Sequence, residues 1–130
     1  MEFDNSRPIW LQLVAEFSRR IAVGEWRSGS RISGVRDLAL EIGVNPNTLQ
    51  RAFGELERDE LVRVERAAGR FVTDDQDKIA AVRQRLATTA ADEYISQSKG
   101  FGMSSQEASA LIKRRWTDDN PDHDHSQGKE

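Results

Sequence analysis

From Asn45 to Arg51 the chain reads Asn-Pro-Asn-Thr-Leu-Gln-Arg, a run of amide, hydroxyl and guanidinium groups with Leu49 as its large apolar member. Side chains of these kinds pair with base edges in the DNA major groove: Arg with guanine, Asn or Gln with adenine, Thr with either. Their placement on a helix follows from local signals. Asn45 is a good N-cap, and Pro46 suits the first helical position, where its missing N–H costs nothing. Leu49, Ala52, Phe53 and Leu56 then recur at helical spacing, which leaves Asn47, Thr48, Gln50 and Arg51 on other faces. A helix that buries one side and shows polar groups at its start suits a major groove.

The neighbouring elements must hold that tip outward. Val35, Leu38, Ala39 and Ile42 form one face of a shorter helix, and Gly43 makes a tight turn into the second. The pair over residues 33–53 reads as a helix-turn-helix. Amphipathic helix pairs around a Gly turn also occur in proteins that never touch DNA, so context decides. The second helix continues through Gly54-Glu55-Leu56-Glu57-Arg58. Leu61, Val62 and Val64 then alternate with Arg63 and Glu65, and Phe71 and Val72 answer after Ala67-Ala68-Gly69. That is a short hairpin, and a hairpin directly behind a helix-turn-helix is a wing. Arg66 and Arg70 fall at its tip, in reach of phosphate or the minor groove.

Upstream, residues 1–7 form a short arm. Pro8 opens a helix to about Val23 with Ile9, Trp10, Leu13, Val14, Phe17 and Ile21 on a broad apolar face, while Glu16, Arg19 and Arg20 stay wet. Gly24 stops that helix, Trp26 plugs the core from the following loop, and Ser33 or Gly34 caps the next helix. Downstream, Thr73-Asp74-Asp75 marks the end of the winged domain. Residues 76–98 carry Ile79, Val82, Leu86, Ala90 and Tyr94 on one stripe, and Gly100 and Gly102 break the helix. Ser104 and Glu107 make a capping box for a last helix lined by Ala108, Leu111, Ile112 and Trp116. Two amphipathic helices of this length must pack on something, and a second copy of the chain is the natural partner. Packing on the chain's own winged domain is the alternative.

Composition bounds the rest. The 130 residues hold one domain and an appendage, with no cysteine for disulfides or thiolate metal sites. The start has no apolar signal run and no stretch suits a membrane span, so a cytoplasmic location is expected. The net charge of −3 hides an uneven distribution. Residues 1–73 hold eleven Arg, no Lys and eleven acidic groups, and the acidic excess lies wholly beyond them. Both histidines, His123 and His125, sit in the apolar-free tail TDDNPDHDHSQGKE, which reads as disordered and acidic. With no histidine elsewhere, no nucleophile elbow and no phosphate-cradling Gly loop, neither catalysis nor a cofactor is expected.

GSRISGVRDLALEIGVNPNTLQRAFGELERDELV followed by AAGRFV resembles the winged-helix domain of GntR-type bacterial transcription regulators, over roughly residues 8–73. The two-helix end closing in GMSSQEASALIKRRW is similar to the YtrA subfamily, in which a small dimerisation segment replaces a large effector-binding domain. The resemblance implies a repressor that binds a palindromic operator as a dimer, often near transporter genes. Residue by residue, it implies that Arg36 holds DNA through phosphate or a guanine edge. Asn45, Asn47 and Thr48 match the polar start of the recognition helix. Gln50 stands where an Arg often reads a base, and Gln favours adenine. Arg51 contacts backbone or base, and Gly69 and Phe71 match the wing. The chain departs from the family pattern at Pro46, where other branches have Arg, and at Ser33-Gly34, where Pro-Ser is usual. The wing, with Ala67-Ala68-Gly69-Arg70-Phe71 for Gly-x-Gly-Thr-Phe, departs as well.

The expected fold is mainly α with a small β-hairpin wing. The expected domains are an arm (1–7), a winged helix-turn-helix domain (8–74), a two-helix dimerisation segment (75–117) and a disordered acidic tail (118–130). The expected DNA-binding residues are Arg36, Asn45, Asn47, Thr48, Gln50, Arg51, Arg66 and Gly69, with no catalytic or metal site. The partners expected are double-stranded DNA and a second copy of the chain, with no membrane and an unknown effector. Two rival functions are a protein-interaction module without DNA binding, and a metal sensor using Asp118, Asp119, His123 and His125.

Overall fold

A computed structural model describes residues 1–119. The elements run α1 (Ile9–Val23), α2 (Val35–Ile42), α3 (Pro46–Arg58), β1 (Val62–Glu65), β2 (Gly69–Val72), α4 (Gln76–Gly100) and α5 (Ser105–Asp119). The chain is therefore mainly helical with one antiparallel hairpin. It forms two compact units, Met1–Ala87 and the residues from Thr88 onward, with α4 contributing to both.

The first unit is built on the helix stripes of the sequence. Leu13, Phe17 and Ile21 of α1 meet Leu49, Ala52, Phe53 and Leu56 of α3, all buried, and Leu38 and Ala39 of α2 complete the trihelical core. Trp26 reaches in from the loop after α1. Its ring stacks on Phe17 at a centroid distance of 4.6 Å, and Phe17 stacks on Phe53 at 5.6 Å. Offset-stacked aromatics contribute beyond their buried area.

The hairpin pairs Val62 with Val72 and Glu65 with Gly69. It buries only its base, Val62 and Val72, while Val64 is exposed instead of continuing an inward row. Residues 30–32 run beside β2: Ile32 N–H donates to Arg70 O at 2.9 Å, and Val72 N–H donates to Ser30 O at 2.9 Å. The wing is thus tied on its outer edge as well.

The structure sharpens one sequence expectation and changes two. The arm of residues 1–7 is docked, because the buried Gln12 side chain accepts from Asp4 N–H and donates to Asp4 O and Arg7 O. The first turns of α4 do not wait for a partner: Ile79 and Val82 are buried in the core of the first unit, and Leu86 packs against it. The compact winged unit accordingly runs past residue 74 to Ala87. Finally, α5 continues through Asp119, so the start of the segment expected to be disordered is helical; His123 and His125 lie outside the described residues. In the second unit, Ser104 Oγ accepts from Glu107 N–H and Glu107 Oε1 accepts from Ser104 N–H, which is the anticipated capping box.

Arg19 stays about half exposed, whereas Arg20 is largely covered. Both donate to the Glu16 carboxylate at 2.9 Å, and the Arg20 guanidinium lies over the Phe17 and Trp26 rings. The hydrogen bond from Arg19, followed by that from Arg20 against an opposing cost of burial, holds Glu16 down to about 2 from its ordinary value of 4.5. A carboxyl with a lowered folded pKa stabilises the fold above its unfolded pKa, and that contribution is lost as pH falls toward the folded value. The urea midpoint is therefore expected to drop as pH is lowered from about 4.5 toward about 2, and Glu16→Gln should flatten that part of the curve.

Candidate nucleic-acid interface

The site is the N-terminal end of α3 together with α2 before it and the wing behind it. Gly43 adopts φ 87°, a left-handed conformation that L side chains resist, and its N–H donates to Ala39 O at 2.8 Å. This turn aims α3 away from α2. Asn45 then caps α3: its side-chain oxygen accepts from Asn47 N–H at 2.7 Å. Pro46 fills the first helical position, as its fixed φ favours. The cap engages the Asn45 oxygen, so Asn45 meets any partner with its amide N–H groups.

Asn47, Gln50 and Arg51 are exposed and spaced by three and four residues, which places them on one face of α3. Thr48 is half-buried beside them. Arg51 is held, because its guanidinium carbon lies 4.1 Å from the Trp10 ring centroid of α1. Stacking of this kind keeps an arginine extended without neutralising its charge. Arg36, at the start of α2, is exposed and has no ion-pair or hydrogen-bond partner among the described residues.

On the wing, Arg66 occupies the turn between β1 and β2 and is exposed, again without a partner among the described residues. Gly69 closes the turn at φ +113°, where a Cβ would stand 3.1 Å from Arg31 Nε. Its role is conformational, since Arg31 lies against it and donates through Nε to Ala68 O at 2.9 Å. Arg70 is not at the tip, contrary to the sequence expectation. It turns back onto α3, where it donates to Glu57 and to Gln50.

The structure thus gathers Asn45, Asn47, Thr48, Gln50 and Arg51 on one helix end, with Arg36 on the helix before it and Arg66 on the wing. Sequence reasoning overlooked Trp10 as the platform for Arg51, Arg31 as the support of the wing turn, and Arg70 as a partner of Gln50. Local spacing gave no signal for any of them, because each contact joins distant stretches. Among the described residues no cluster of acidic groups and histidines could hold a metal ion, and no helix is long and apolar enough to cross a membrane.

The second unit carries no such polar tip. Tyr94 Oη donates to Ala108 O at 2.9 Å and fastens α4 to α5. Between these helices lies an open cleft lined by Ala91, Tyr94, Ile95, Ala108, Ile112 and Trp116. Leu86, earlier on α4, packs instead against the core of the first unit. Phe101 and Trp116 are 80% and 72% exposed.

Comparison with known proteins agrees with this arrangement. Residues 10–72 match the model of bacterial regulatory proteins of the gntR family. The uncharacterized HTH-type transcriptional regulator YhcF of Bacillus subtilis is 30% identical over 112 residues, covering 86% of this chain and 93% of the relative. The HTH-type transcriptional repressor YtrA of the same organism is 26% identical over 69% of this chain and 74% of its own. Among solved structures, a GntR family transcriptional regulator from Listeria monocytogenes superposes with a TM-score of 0.81 at 32% identity, covering 86% of this chain and 98% of that one.

Proposed function

The chain belongs to the GntR family of bacterial regulatory proteins and is a transcription regulator with a DNA-binding helix-turn-helix, and from that premise we propose that it is a homodimeric repressor of the YtrA subfamily that grips a palindromic operator. The family's members are DNA-binding regulators, not enzymes. The observation that carries the reading is the exposed polar tip of α3, flanked by Arg36 and Arg66, neither of which has a partner among the described residues. In this reading Asn47, Thr48, Gln50 and Arg51 enter the major groove, Asn45 and Arg36 meet phosphate, and the Arg66 turn, shaped by Gly69, lies along the adjacent backbone.

Dimerisation through the second unit is supported by its exposed apolar side chains, Ile95, Phe101, Ile112 and Trp116. Ile95, Ile112 and Trp116 line one cleft, and a contiguous exposed apolar patch is a recurrent mark of an association surface. Two-fold pairing places half-site centres roughly 34 Å apart on an inverted repeat. Control of its own operon or of a transporter operon, from the cytoplasm, follows from the same resemblance. No observation favours the interaction-module rival, and the His and Asp side chains of the metal-sensing rival lie largely outside the described residues.

Equilibrium binding to a selected duplex, measured by fluorescence anisotropy over a salt series, tests the reading. A dimer making about six phosphate contacts should lose roughly a thousandfold in affinity between 50 and 200 mM salt. Absence of binding at low salt, or an affinity that ignores salt, contradicts it.

A further inference from the structure

Arg70 leaves β2 toward α3 and makes three contacts there. Its Nε donates to Glu57 Oε2 at 2.8 Å and its Nη2 donates to Gln50 Oε1 at 2.8 Å. The guanidinium carbon also lies 4.9 Å from the Phe53 ring centroid. The side chain is only 25% exposed, so this is a fixed group rather than a sampling one. Glu57 and Gln50 stand two turns apart on one face of α3, which lets a single guanidinium span them.

A guanidinium has donors and no acceptor. Of the two ends of the Gln50 amide, only the oxygen can face it. The Nε2 hydrogens are therefore the end turned away from Arg70, on a side chain that is otherwise exposed. A glutamine that reads adenine uses both ends at once, donating to N7 and accepting from the N6 amino group. Here the acceptor is already engaged and stands beside a cation, which repels an approaching amino donor. Guanine presents two acceptors, N7 and O6, on the same groove edge.

We propose that Arg70 is a positioning residue that fixes Gln50 as a hydrogen-bond donor and so turns the base it reads from adenine to guanine. Glu57 holds the guanidinium in place and keeps it from reaching a phosphate itself. The inference rests on the reading that α3 enters the major groove.

Site selection from randomised duplexes tests it, using the full-length chain, Gln50→Ala and Arg70→Met, with thermal melts to confirm folding. Methionine keeps an unbranched stem over Phe53 while removing the donors. Gln50→Ala should abolish preference at one base pair per half-site, and at that pair the wild type should favour guanine over adenine by roughly 5- to 150-fold. Arg70→Met should move the preference toward adenine by at least about fivefold at that pair and no other. A purely structural loss would weaken every position alike and would not exchange one base for another. Adenine at the Gln50-dependent pair in the wild type, no Gln50-dependent pair at all, or an unchanged guanine preference in folded Arg70→Met overturns the proposal. If Arg70→Met fails to fold, the wild type against Gln50→Ala still decides, guanine supporting the proposal and adenine overturning it. A wild type that binds no duplex overturns the major-groove reading first and this proposal with it, whereas specific binding with adenine at that pair overturns this proposal alone.

Discussion

Phe53→Ala is expected to cost about 3–5 kcal/mol of folding stability. Phe53 is fully buried at the centre of α3, stacked on Phe17 and within 6.4 Å of the Trp26 ring. It also lies under the Arg70 guanidinium. Truncation leaves a cavity that three elements line and none can fill, since Phe17 and Trp26 are themselves held by α1 and its following loop. Native domains hold a margin of about 5–15 kcal/mol, so the variant should unfold at a much lower urea concentration or be unfolded at the outset. Tryptophan fluorescence follows this directly, because Trp26 loses its packing. A midpoint unchanged from the wild type would mean that the aromatic stack does not organise the winged unit.

Arg36→Glu is expected to lower affinity for operator DNA by roughly a hundredfold or more, because like charges brought together at an interface cost several kcal/mol. Arg36 is exposed and makes no ion pair or hydrogen bond among the described residues, so reversal of its charge should leave the melting temperature nearly unaltered. In the proposed dimer each protomer would carry the change, which doubles the penalty at one operator. The combination of lost binding and kept stability separates a DNA contact from a structural role. Anisotropy at fixed salt, paired with a thermal melt, reads both. Unaltered affinity would remove Arg36 from the interface.

How much of this was legible in the sequence depends on the range of the interaction. The Gly43 turn, the Asn45 cap, Pro46 at the first helical position and the Ser104–Glu107 capping box are encoded within a few residues, and each is present. The helical stripes of α1, α2 and α3 were legible for the same reason, and with them the winged-helix class. Periodicity names a buried face but not what covers it. The stripe of α4 illustrates the difference: Ile79 and Val82 are covered by the chain's own core, while Ile95, further along the same helix, is exposed. Contacts between remote stretches left no local trace. Arg70 on Gln50, Arg51 on Trp10 and Arg31 beneath the wing turn are of this kind, and all three concern how the candidate DNA-reading groups are held.

The account stands on the α3 tip lying inside a major groove, and cleavage of bound DNA from that tip tests it most directly. The chain contains no cysteine, so Asn47→Cys gives a unique attachment point for an iron–EDTA group at an exposed position. With operator bound, strand scission is predicted in two symmetric patches on the major-groove side, roughly 34 Å apart. Saturated binding with no cleavage from residue 47 would place the tip away from the DNA and contradict the account.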